Sequence, residues 1–83
     1  MKFLAEINVM PHKNLLDPQG KAVTGGIHSL GLNTVENVRV GKRISLEVKA
    51  DNADDARAIA ETACKKLLAN PVMEYFEISI QVL

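Results

Sequence analysis

Few side chains in this chain carry reactive chemistry, and their neighbours decide what each can do. Ser29 directly follows His28. A serine nucleophile needs a base within hydrogen-bond reach and an acid that orients the base. Adjacent residues of a helix point in different directions, so this pair does not make one. Ser45 and Ser79 stand in alternating stretches with no histidine nearby, which sets aside a serine or cysteine hydrolase. Cys64 is the sole cysteine and falls on an apolar helical stripe, where a thiol acts as a small apolar filler. One cysteine with His12 and His28 does not complete a structural zinc site. Gly41-Lys42 has the form of the end of a phosphate loop, but Glu36 to Val40 hold no glycine. A phosphate loop needs glycine-rich backbone to wrap the anion in N–H groups. Asp51, Asp54 and Asp55 gather at a helix start, where the helix dipole accounts for them. His12 is left as a loop residue after Pro11, and His28 receives no role.

The elements that would have to position such groups follow from hydrophobic periodicity. Phe3, Ala5, Ile7 and Val9 alternate with polar positions, the period-two pattern of a half-buried strand, and Pro11 ends its pairing. Asp17-Pro18 predicts a helix start, because the carboxylate accepts a free N–H and proline at the first position gives up a donor that has no partner. Ala22, Val23, Ile27 and Leu30 then recur on one face, and Gly31 suits a left-handed helix end. Gly20, Gly25 and Gly26 weaken this helix by about 1 kcal/mol each relative to alanine, so its formation is expected to depend on packing.

Val35 to Val40 reads as a second strand, joined by a turn at Gly41-Lys42 to a third in which Ile44, Leu46, Val48 and Ala50 alternate with Arg43, Ser45, Glu47 and Lys49. Asn52 caps a second helix whose apolar stripe is Ala56, Ile59, Ala60, Ala63, Cys64 and Leu67. Pro71 stops that helix near Ala69-Asn70. A last strand runs from Glu74 to Val82, with Phe76, Ile78, Ile80 and Val82 inward. The order β-α-β-β-α-β over residues 1–83 predicts one α+β domain. It is expected to be a two-layer sandwich, with a four-stranded, mainly antiparallel sheet and both helices on one face. The outer sheet face, with Leu4, Met10 and Tyr75 among polar residues, is expected to associate with a partner, as small domains often must.

Ten basic and ten acidic side chains balance, so no long-range attraction to nucleic acid or to an anionic membrane is expected. The aromatic set is only Phe3, Tyr75 and Phe76, and the strand Arg43 to Ala50 has no residue on which a base could stack. The lone thiol suits a reducing compartment, and no apolar run approaches the roughly 20 residues of a membrane span, so a soluble cytosolic protein is expected.

Three segments carry a more specific signal. They are Leu16-Asp17-Pro18-Gln19-Gly20-Lys21-Ala22-Val23, Val38-Arg39-Val40-Gly41-Lys42 and Leu67-Leu68-Ala69-Asn70-Pro71-Val72-Met73-Glu74-Tyr75. In content, order and spacing they resemble the small S subunit (PurS) family of phosphoribosylformylglycinamidine synthase, and the resemblance spans essentially the whole chain. Thr24-Gly25-Gly26 departs from it, where a better helix former would be expected. The resemblance implies the ATP- and glutamine-dependent amination of formylglycinamide ribonucleotide by a complex. In that complex a large synthetase subunit binds ATP and the ribonucleotide, and a glutaminase subunit releases ammonia. The small subunit, a homodimer or homotetramer, bridges the other two. It implies no catalytic residue and no cofactor bound by this chain alone, ATP and Mg being used by the complex. Within the resembling segments Gln19, Arg39 and Lys42 are not required by caps or turns, and these three, with Asn70, are the candidate subunit contacts. Two other readings of the same β-α-β-β-α-β order are a regulatory domain that binds a small molecule and an acylphosphatase-like enzyme.

Overall fold

The computed structural model describes residues 1–83. Strand β1 (Lys2–Pro11) is followed by helix α1 (Pro18–Ser29), strand β2 (Lys42–Lys49), helix α2 (Ala53–Ala63) with a wider π-helical turn at Cys64–Leu68, and strand β3 (Glu74–Val82). The sheet has three strands in the order β2-β1-β3, and β1 pairs antiparallel with both neighbours.

The register lines up inward residues in rows across the sheet. Phe3 lies between Val48 and Val82, Ala5 between Leu46 and Ile80, and Ile7 between Ile44 and Ile78. Phe3, Ala5, Ile7 and Val9 are fully buried, as the alternation of β1 requires. Burying each large apolar side chain contributes about 1.5–3 kcal/mol. Helix α2 covers this face through Ala56, Ala60 and Cys64, whose small side chains let it approach closely. Asn52 caps α2 by accepting the Asp55 N–H at 2.9 Å.

Four expectations change. Val35 to Val40 is not a strand, so the sheet lacks a fourth member and the predicted hairpin does not form. Asn37 adopts a left-handed backbone (φ 55°), which breaks the extended course. Side chains take the place of a ladder there: the Val40 N–H donates to Asp17 Oδ2 at 2.9 Å, and the Val35 carbonyl accepts from His28 Nε2 at 2.7 Å.

The helices do not share one face of the sheet. Only α2 packs across all three strands, whereas α1 projects away with Val23 42 % and Leu30 77 % exposed. Its apolar stripe has no counterpart within the chain. The stripe of α2 also shifts. The π-helical turn, closed by Ala69 N–H to the Cys64 carbonyl at 3.0 Å, turns Leu67 outward and sets Leu68 against the core. Ile59 likewise faces solvent.

The result is elongated, 51 × 26 × 14 Å with a radius of gyration of 16.2 Å. A compact chain of this length would have roughly 12 Å. Its accessible surface of 5825 Å² exceeds the roughly 4,900 Å² of a compact monomer of this mass. No helix is long and apolar enough to cross a membrane.

Candidate functional site

The groups that could have formed a nucleophilic centre are spent on local structure. The Ser29 hydroxyl donates to the Gly25 carbonyl at 3.0 Å, while His28 anchors the segment after α1 through Val35. Cys64 is buried, and desolvation, with a smaller contribution from Glu61, pushes its thiol pKa above the ordinary value. Asp54 and Asp55 lie in the first turn of α2, where Asp55 also accepts from Asn52 Nδ2 at 3.3 Å.

The most connected polar feature is the junction where the loop after β1, the start of α1 and residues 38–40 meet. Asp17 is the N-cap of α1, accepting the Gly20 N–H on Oδ1 at 3.1 Å, and its other oxygen holds Val40. These two donors, Val40 first, hold its pKa below the ordinary carboxylate value; Arg39 adds to the effect and desolvation opposes it. Arg39 reaches across the junction, Nη1 donating to the Leu15 carbonyl at 3.1 Å and Nη2 to the His12 carbonyl at 2.6 Å. Its Nε stays 3.9 Å from Asp17 Oδ2 and, though buried, has no hydrogen-bond partner. Gly20 is buried here because a Cβ at that position would come 2.1 Å from the Val38 carbonyl oxygen.

His12 links this junction to the turn before β3. Its N–H donates to the Met73 carbonyl at 2.9 Å, and its ring lies 5.9 Å from that of Tyr75. Asn70 shapes that turn: its side chain accepts the Val72 N–H at 3.0 Å, and its carbonyl accepts from Met73 and Glu74. Its own N–H donates to Glu74 Oε1 at 2.8 Å.

The four candidate residues therefore fall into two kinds. Arg39 and Asn70 make intrachain bonds that shape loops. Gln19, in the first turn of α1, and Lys42, the first residue of β2, are exposed. Gln19 and Arg39 belong to the same junction, Lys42 sits beside Gly41 at the start of β2, and Asn70 is connected to Arg39 through the His12 segment. Sequence reasoning found the capping role of Asp17 but not its second bond to Val40, nor the clamp that Arg39 places on His12 and Leu15. An ion pair or cap within one turn has a sequence signature. A bond spanning 24 or 27 residues, as these do, has none.

The outer sheet face is polar and cross-linked. Glu6 on the central strand pairs with Arg43 and accepts from Gln81 Nε2 at 3.3 Å, and Lys2 pairs with Glu47 at 3.0 Å. Leu4, Met10 and Tyr75 are half-buried within it.

Residues 4–82 match the family model PurS, described as phosphoribosylformylglycinamidine (FGAM) synthase. Among curated proteins, the phosphoribosylformylglycinamidine synthase subunit PurS of Methanocaldococcus jannaschii is 32 % identical over 95 % of each chain. Among solved structures, PurS of Bacillus subtilis superposes with a TM-score of 0.86 at 34 % identity, over 96 % of this chain and 99 % of that one. A chain of the PurLQS structure from Thermotoga maritima superposes with a TM-score of 0.88 at 34 % identity, covering 98 % of this chain and 99 % of that one.

Proposed function

Because this chain belongs to the PurS family of phosphoribosylformylglycinamidine (FGAM) synthase, we propose that it is the small, non-catalytic subunit of that ligase. It joins a large synthetase subunit to a glutaminase subunit and so supports the ATP- and glutamine-dependent amination of formylglycinamide ribonucleotide in purine biosynthesis. The observation that carries this reading is the end-to-end likeness to a chain of the PurLQS structure, with almost nothing left over on either side.

The physical form supports the same role. Ammonia released into water is protonated and lost, so a glutaminase and a synthetase site gain from being held in register and shielded from solvent. A subunit that does this needs rigid surfaces and no reacting groups of its own. The chain has a small sheet rigidified by α2, and an α1 whose apolar stripe is unpartnered. Its surface excess over a compact monomer, about 900 Å², is close to what one partner buries in a standard interface. We assign α1 to self-association, as a homodimer that doubles to a homotetramer, and Gln19, Arg39, Lys42 and Asn70 to the neighbourhood of subunit contacts. ATP and Mg are bound elsewhere in the complex, which works in the cytoplasm, where the free Cys64 thiol stays reduced.

Reconstitution tests the proposal. Purified large and glutaminase subunits are assayed for glutamine-dependent product with and without this chain, alongside the ammonia-dependent rate of the large subunit. The chain should restore the first rate and leave the second nearly unchanged. If neither rate responds and the chain does not co-elute with the others, the proposal fails.

A further inference from the structure

The junction below α1 also encloses a cleft that assembly alone does not explain. Its volume is about 640 Å³, within the roughly 300–1,000 Å³ of pockets that hold small organic ligands. Its lining combines three cationic residues, Lys13, Lys21 and Arg39, with three apolar ones, Leu15, Leu16 and Val38. Asp17 is the acid in the lining, and both of its oxygens already accept backbone N–H groups. Lys13 and Lys21 take part in none of the chain's ion pairs, which use Lys2, Arg39 and Arg43. Lys13 and Lys21 thus border one cleft without an ion-pair partner, beside a guanidinium whose hydrogen bonds run to backbone carbonyls and whose charge is only partly offset by Asp17 at 3.9 Å. Asn37, the chain's one non-glycine residue with positive φ, lines the same cleft.

The chemistry selects among anions. A carboxylate offers one charge to two ammonium groups, whereas a phosphate monoester is close to a dianion at neutral pH. Lysine binds phosphate as a compact point charge. Three apolar residues in the same lining fit the organic body of such an ester and would give bare phosphate nothing. We infer that this cleft binds the phosphate monoester of a small organic molecule, with Lys13 and Lys21 on the phosphate and Leu15, Leu16 and Val38 against the body it esterifies. Arg39 contributes its charge and keeps its hydrogen bonds within the junction. This inference does not rest on the assembly role, and either can fail without the other.

The test is a backbone amide NMR titration of the full chain at pH 7.5 with three probes: phenyl phosphate, benzoate and inorganic phosphate. Phenyl phosphate should shift the amides of Lys21, Asn37 and Val38 saturably, with Kd below about 1 mM. Benzoate, with the same ring and one charge, should bind about tenfold more weakly, and inorganic phosphate should be weaker too. Replacing both cations, Lys13→Ala with Lys21→Ala, should cost about tenfold or more in affinity; both side chains are exposed, so the fold survives. The charge-matched control Lys65→Ala with Lys66→Ala should leave affinity unchanged. Absence of saturable shifts up to about 10 mM, well above the expected Kd, overturns the inference. Equal loss in the two double variants also overturns it, since that is unspecific charge attraction. Benzoate binding as tightly as phenyl phosphate reassigns the cleft to a carboxylate and overturns the ligand class, and inorganic phosphate binding as tightly overturns the role of the apolar wall.

Discussion

The three glycines of α1 should respond oppositely to the same substitution. Alanine in a helix interior is favoured over glycine by about 1 kcal/mol. At Gly25 and Gly26 an added Cβ meets nothing within 4 Å, so Gly25→Ala or Gly26→Ala should stabilise the chain by about that amount. In a domain of this size that corresponds to a rise in Tm of about 4–8 °C. At Gly20 the added Cβ would lie 2.1 Å from the Val38 carbonyl oxygen and 2.7 Å from Asp17 Oδ2, where real contacts essentially never fall under 3.0 Å. A backbone carbonyl cannot swing aside as a side-chain tip can. Residues 38–40 must withdraw, which strains the Val40 N–H bond to Asp17 and the reach of Arg39. Overpacking of this kind costs about 1–3 kcal/mol. The Gly20 and Gly25 variants should therefore differ by about 2–4 kcal/mol, in the order opposite to equal helix propensity. Urea unfolding followed by circular dichroism measures this, repeated at several protein concentrations so that association is separated from folding. A Gly20→Ala chain as stable as Gly25→Ala would refute the packed junction. A Gly25→Ala chain that is destabilised only at high concentration would instead place the glycine face of α1 against another copy.

Four other perturbations probe the same framework. Because the folded pKa of Asp17 is depressed, its stabilisation is present above the unfolded carboxylate pKa and is lost as pH falls through the lower folded value; Asp17→Asn should flatten that acid limb of a stability–pH curve, and an unchanged limb would refute the assignment. Cys64 should resist a thiol reagent at pH 8 in the folded chain and label at once in urea, whereas labelling at free-thiol speed in the native state would mean that the π-helical turn opens readily. Arg39→Ala should lower stability by about 1–3 kcal/mol through its two lost hydrogen bonds to backbone carbonyls. Lys42→Ala should change stability by less than about 0.5 kcal/mol, so weaker co-elution with the large subunit in that variant reports contact, and unchanged co-elution removes Lys42 from the interface.

Much of the architecture was legible because it is local. Period-two alternation in Phe3 to Val9, Arg43 to Ala50 and Glu74 to Val82 fixes which side chains face the core, and the register of β1 with both neighbours agrees with it. Asp17, Asn52 and Gly31 lie where caps and helix ends were expected, since each acts within one turn. The segment Val35 to Val40 misled because its apolar content fits a strand, while its backbone is satisfied by side chains instead, Asp17 lying 23 residues from Val40 and His28 seven from Val35. The stripe of α2 was read as a continuous 3.6-residue period, and one π-helical turn moved Leu67 out of it. The outward course of α1 had no local signal either, because an apolar stripe declares that it will be covered but not by what.

By itself the sequence determined the α+β class, the inward residues of the three strands apart from Val82, which is 61 % exposed, the caps of both helices and, through three joined segments, the family. Tertiary structure alone decided that the sheet stops at three strands, that Arg39 clamps the loop after β1, and that Lys13 and Lys21 line one cleft. The division has a single physical origin. Periodicity and capping are governed by neighbours a few residues away, so residue order encodes them directly. The clamp, the cleft and the missing strand depend on which of several possible partners satisfies a backbone group more than 20 residues distant.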